Sequence, residues 1–85
     1  MDADALIDPD APLTPYRQLV EILTARIQRG DWQPGRPIPS EAQLVQEYGI
    51  ARSTVRRGIA ALVEDGWVFT VPQRGSYVSD PLPNK

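Results

Sequence analysis

Three arginines, Arg52, Arg56 and Arg57, lie between Tyr48 and Val63 with no acidic residue among them. Ser53 and Thr54 fill the gap after the first. A guanidinium is a planar fork of donors. It fits the O6/N7 edge of guanine, or a phosphate, with two parallel hydrogen bonds. Hydroxyls near a helix start bond phosphates or base edges, and the helix N-terminus itself attracts phosphate. Arg36, Ser40, Gln73, Arg74 and Gly75 extend the candidate set along the chain. The chemistry these types offer is recognition of anions and base edges.

Covalent chemistry has little to work with. The chain contains no His and no Cys. That removes the commonest general base, thiol nucleophiles, disulfides and the usual metal ligands. The sole lysine, Lys85, is the last residue, and no two carboxylates share an expected pocket. No enzyme activity, cofactor or metal is expected. No apolar run approaches a membrane span, and Met1-Asp2-Ala3-Asp4 lacks the basic start of a signal peptide. A soluble, cytoplasmic protein without a membrane partner is the simplest expectation.

The net charge of −2 argues at first against a nucleic-acid partner. It divides unevenly. Residues 1–13 hold four aspartates and no base, so they carry −4, and the remainder has nine basic against seven acidic residues, or +2. Pro9, Pro12 and the acids make residues 1–13 read as a flexible acidic tail. Residues 81–85 read as a frayed C-terminus, leaving 14–80 as one mildly basic domain.

The elements that must position the arginines follow from periodicity. Thr14 caps and Pro15 starts a helix over 15–29, with Tyr16, Leu19, Val20, Leu23 and Ile27 on one apolar stripe and Gly30 as its stop. On that pattern Gln18 lies off the stripe. Pro34, Pro37 and Pro39 forbid a helix next and allow Ile38 at most a short edge strand. Ser40 and Gln43 match a capping box for a short helix over 41–48, with Ala42, Leu44, Val45 and Tyr48 inward. A turn through Gly49 leads to a third helix with Val55, Ile59, Leu62 and Val63 inward and Gly58 in mid-helix. The period then changes. Residues 67–71 and 76–79 read as strands of a hairpin, with the turn at 72–75. A helical wheel turns Ser53, Thr54 and Arg57 to solvent, sets Arg56 at the boundary and puts Arg52 on the buried side at the helix end. Taken alone, Arg57 would be a solvated surface charge. Trp32, Trp67, Tyr48 and Tyr16 are expected in the core.

Helix, proline-rich segment, short helix, glycine turn, helix and hairpin form a mainly α architecture: a winged helix-turn-helix of three helices plus a wing. In that motif the third helix enters the major groove. The order Pro15-Tyr16-Arg17-Gln18-Leu19, Gly30-Asp31-Trp32, Pro34-Gly35, Ile38-Pro39-Ser40-Glu41, Gly49-Ile50, Arg52-Ser53-Thr54-Val55-Arg56, Gly66-Trp67-Val68 and Arg74-Gly75-Ser76-Tyr77-Val78 resembles the GntR family of bacterial transcription regulators. The opening is closer to its HutC-type and YtrA-type branches. The resemblance implies a sequence-specific regulator, a repressor by family habit. It would read a half-site of a palindromic double-stranded operator with the third helix and wing, as a homodimer on DNA. By the same resemblance Arg52, Arg56, Ser53, Thr54 and Gly75 contact DNA.

Three departures stand out. Ala51 replaces a Ser or Thr cap, so Ser53 is a candidate cap for a later helix start. Ala42 stands where some members carry a DNA-contacting Arg. Members also continue into a ligand-binding and dimerising domain, so 85 residues fit either a stand-alone reader or part of a longer regulator, with no small-molecule effector site in this chain. A winged helix used only for protein contacts is the competing reading, favoured by the acidic total. The acidic tail could serve as a DNA mimic over the basic helix, or simply as a solubilising tail.

Overall fold

A computed structural model describes residues 1–83. Three helices, α1 (Pro15–Arg29), α2 (Glu41–Tyr48) and α3 (Arg52–Glu64), precede an antiparallel hairpin of β1 (Val68–Val71) and β2 (Gly75–Val78). The register pairs Val68 with Val78 and Val71 with Gly75. Asn84 and Lys85 of the expected frayed end lie outside the described residues; Leu82, just before them, packs against the core.

The apolar stripes converge as their spacing demands. Leu19, Val20, Leu23 and Ile27 of α1 meet Leu44 of α2, Val55 and Leu62 of α3, and Trp67, Val68 and Val78 of the hairpin. Each fully buried Leu or Val in this set contributes roughly 1.5–3 kcal/mol. Ser40 and Gln43 close the expected capping box. Gly30 and Gly49 end α1 and α2 in the left-handed conformation.

Several expectations need correction. Gln18 is 1% exposed, and Ile22, absent from the predicted stripe, is fully buried. For Gln18 the reason is that residues 1–13 lie along α1. Gln18 Nε2 donates to the carbonyls of Asp8 and Leu13 at 2.8 and 2.6 Å, and its Oε1 accepts from the Asp8 N–H at 2.9 Å. The Met1 ammonium pairs with Glu21 at 3.0 Å and Asp4 with Arg29 at 2.9 Å. The acidic segment thus contacts α1, and none of its ion pairs goes to the arginines of α3. Ala42 and Val63, expected inward, are exposed. Thr14 and Ala51 occupy the N-cap positions of α1 and α3 without a side-chain cap bond, so α3 begins at Arg52 and Ser53 does not act as its cap.

The proline-rich segment does more than connect. The Gly35 N–H donates to the Val78 carbonyl, the Val78 N–H to the Arg36 carbonyl, and the Ile38 N–H to the Ser76 carbonyl, at 2.8–2.9 Å. Residues 35–38 therefore run beside β2 as a partial third strand. At the hairpin tip the Arg74 N–H donates to the Val71 carbonyl at 3.0 Å. Pro72 fills the second turn position and Gln73 the third, at φ 65°, where glycine is usual. No helix among the described residues is long and apolar enough to cross a membrane.

Candidate nucleic-acid interface

The first turn of α3 sets the site. Its first backbone bond runs from the Val55 N–H to the Ala51 carbonyl. The N–H groups of Arg52, Ser53 and Thr54 precede it and have no side-chain cap. Arg52, Ser53, Arg56 and Arg57 are exposed and Thr54 is half-buried. Arg52, on the buried side of the wheel, is exposed because it is the first helical residue and projects beyond the core, as its place at the helix end allows.

Two open clefts flank this turn. One, of 360 Å³, is lined by Ser40, Glu41 and Ala42 of the α2 start, Arg52 and Ile59 of α3, and Thr70, Gly75 and Ser76 of the hairpin. It gathers Ser40, Arg52 and Gly75 from the candidate set. The other, of 300 Å³, is lined by Thr14, Pro15 and Tyr16 of the α1 start and by Ser53, Thr54 and Arg57. Gln73 and Arg74 stand exposed at the wing tip. Arg36 lines neither cleft; its carbonyl bonds to Val78, at the base of the hairpin, away from the tip.

Two pairings escaped sequence reasoning. The Arg57 guanidinium lies over the Tyr16 ring, 4.0 Å from its centroid. Tyr16 is therefore a half-buried platform between α1 and α3 rather than a core residue, and Arg57 is a held cation rather than a free one. The Arg56 Nε donates to Glu41 Oε1 at 3.1 Å. Each pair joins residues far apart in sequence, so periodicity carried no signal for either.

The approach of α1 to α3 is close. Gly58 faces Leu19: a Cβ at this position would lie 3.0 Å from Leu19 Cδ2 and 3.5 Å from the Tyr16 carbonyl oxygen. The missing side chain lets the two helices meet, and it sits one residue from Arg57.

Two arginines of α1, Arg26 and Arg29, are spent on structure. Arg26 bonds Asp31 at 2.9 Å, Glu47 and the Tyr48 hydroxyl at 3.0 Å, and covers the Trp32 ring at 4.4 Å. Arg29 grips Asp31 with two bonds of 2.8 Å. Hydrogen bonds from Arg29 and then Arg26 hold the Asp31 carboxyl far below the usual carboxylate range. Burial pushes the Tyr48 phenol up, opposed by the Arg26 hydrogen bond. Arg26 lies ten residues beyond Tyr16, about 15 Å along α1. The cations near α1's C-terminus are thus neutralised. Among the described residues Arg52, Arg57 and Arg74 have no carboxylate within 4.0 Å. Arg17 and Arg36 are likewise without one, and Arg52 and Arg57 place two of these five charges on the first two turns of α3.

The pattern of the gntR family of bacterial regulatory proteins matches residues 15–78. The chain is 37% identical over 75 residues to the HTH-type transcriptional repressor NagR of Bacillus subtilis, covering 88% of this chain and 31% of that protein. It is 33% identical over 79 residues to the histidine utilization repressor of Pseudomonas aeruginosa, covering 93% and 31%. It spans about a third of the length of these relatives. Among solved structures, the DNA-binding domain of AraR in complex with operator ORE1 superposes with a TM-score of 0.78 at 32% identity, over 86% of this chain and 89% of that one. A GntR family transcriptional regulator from Listeria monocytogenes gives 0.78 at 26%, over 87% and 63%.

Proposed function

The chain belongs to the gntR family of bacterial regulatory proteins, and from that premise we propose that it is the operator-reading part of a transcriptional repressor. The carrying observation is the concentration of unneutralised arginine and uncapped N–H groups at the α3 start, next to an exposed wing tip. Arg52, Arg56 and Arg57 with Ser53 and Thr54 supply base-edge and phosphate contacts from the major groove. Gln73, Arg74 and Gly75 reach the flanking backbone or minor groove. Ser40 adds a phosphate contact from the α2 start.

The domain works without catalysis or cofactor, in the cytoplasm, on a palindromic operator. Its longest dimension is 34 Å, and half-sites one helical turn apart are separated by about 34–36 Å. Two copies on one face of the duplex fit that spacing.

The test is a fluorescence anisotropy titration against promoter DNA at several salt concentrations. Neutralising about four phosphates gives a slope of log K on log salt near −3.6. Arg52→Ala should weaken binding and relax specificity, whereas Arg74→Ala should weaken binding to all sequences alike. Salt-independent binding, or wild-type affinity in both Arg52→Ala and Arg56→Ala, would refute the proposal.

A further inference from the structure

Arg56 is restrained along one edge only. Its Nε donates to Glu41 Oε1 at 3.1 Å, from α3 across to the first residue of α2. Among the described residues its two terminal amino groups make no protein hydrogen bond, and the side chain is 64% exposed. A guanidinium has two edges able to make paired bonds: one includes Nε, and the other is formed by the two terminal nitrogens. The carboxylate holds the first through Nε. The second, which matches guanine O6/N7, is left free.

Glu41 has a simpler duty at hand, since an acid in the first turn favours a helix dipole without any partner. Its contact with α3 goes beyond that duty. Glu41 also lines the cleft that holds Ser40, Arg52 and Gly75, so its negative charge stands inside the proposed interface. A carboxylate there opposes phosphate.

We infer that Glu41 is a positioning residue for base reading. It clamps Arg56 with the terminal edge presented to the groove, and its charge penalises backbone-only binding. The clamp lowers affinity for arbitrary DNA and widens the gap between operator and arbitrary DNA, which is how a repulsive group produces specificity. This inference rests on the DNA-reading role proposed above.

The experiment uses the 85-residue chain and a duplex selected from random sequence by the wild-type domain. Binding to that duplex, to one with each guanine replaced by adenine, and to arbitrary DNA is measured for wild type, Glu41→Gln, Glu41→Ala, Arg56→Ala and the double variant Glu41→Ala/Arg56→Ala. Glu41→Ala should bind arbitrary DNA several-fold more tightly. Its specificity ratio should fall about tenfold, the size of one lost base preference. Discrimination should fall at one guanine, the one to which Arg56→Ala is also blind. Glu41→Gln keeps an acceptor for Nε and should retain most of that discrimination. In the Arg56→Ala background Glu41→Ala should change discrimination no further.

An exposed ion pair adds at most about 1 kcal/mol, a melting shift no larger than about 4–8 °C, so the specificity ratio and not the melting temperature reports the clamp. A cap or dipole role alone would instead lower stability and leave the specificity ratio intact. Equal discrimination by wild type and Glu41→Ala, with wild type still specific, overturns the clamp alone. A wild-type domain without sequence preference overturns the DNA-reading role and the clamp together.

Discussion

Gly58→Ala sets two known effects against each other inside α3. Helix propensity favours alanine in a helix interior by about 1 kcal/mol. Packing opposes it. The added methyl would lie 3.0 Å from Leu19 Cδ2 and 3.6 Å from Leu19 Cγ. Carbon atoms prefer about 3.5–4.0 Å, so Leu19 or the α1–α3 spacing must give by a few tenths of an ångström. Leu19 is fully buried and has little room to move. Overpacking of this kind costs about 1–3 kcal/mol. Packing therefore wins, with a net loss of about 1 kcal/mol and a melting temperature about 4–8 °C lower. Urea unfolding followed by the fluorescence of Trp32 and Trp67 measures it. Ala60→Gly is the control: position 60 is exposed, so it should lose about 1 kcal/mol from propensity alone. Both substitutions should destabilise, although they exchange the same residues in opposite directions. A Gly58→Ala domain more stable than wild type by about 1 kcal/mol, with an unchanged urea slope, would refute the tight α1–α3 contact.

Gln18→Leu removes the partners of the Asp8 N–H and of the Asp8 and Leu13 carbonyls, at a cost of about 1–3 kcal/mol, and should speed proteolytic cleavage within residues 1–13. Unchanged stability and cleavage rate would show that the segment is not anchored there. Asp31 is held below its ordinary pKa, so its contribution is complete above about pH 4 and is lost as the pH falls further. Asp31→Asn should flatten the acid side of the stability profile, and parallel acid profiles for variant and wild type would count against the Arg29–Asp31–Arg26 network. Ala42→Arg places a cation in the cleft beside Arg52 and Ser40 and should steepen the salt slope of DNA binding by about 0.9 with little change in sequence preference. An unaltered slope would remove that cleft from the interface.

The parts of the fold legible in the sequence were those set by local rules. Helix limits followed from Pro15, Gly30, Ser40, Gln43 and Gly49, each of which acts within one turn of chain. The core stripe of α1 followed from periodicity, but only on one face. Gln18 and Ile22, one turn apart, are buried off that stripe, and Gln18 is held there by the backbone of Asp8 and Leu13. Four aspartates and two prolines disguise those residues as a free tail, since composition records neither a carbonyl offered to Gln18 nor an ammonium near Glu21. Val63 and Ala42 illustrate the reverse error: spacing marks them inward although they stand exposed. The candidate site was legible as residue types. The Glu41–Arg56 and Tyr16–Arg57 pairs were not, because each joins separate helices that only the packed core brings together.

β2 is bonded on both sides, to β1 and to residues 35–38, and α3 packs on α1, α2 and β1. The wing is thus a braced lever rather than a swinging arm, and the helix beside it shares the same mount. Such a head loses little conformational entropy when it docks. It also has little capacity to adapt to a groove of the wrong width. On the proposed DNA-reading role, adaptation then falls to the duplex, and base pairs that neither α3 nor the wing touches would enter the affinity through their stiffness.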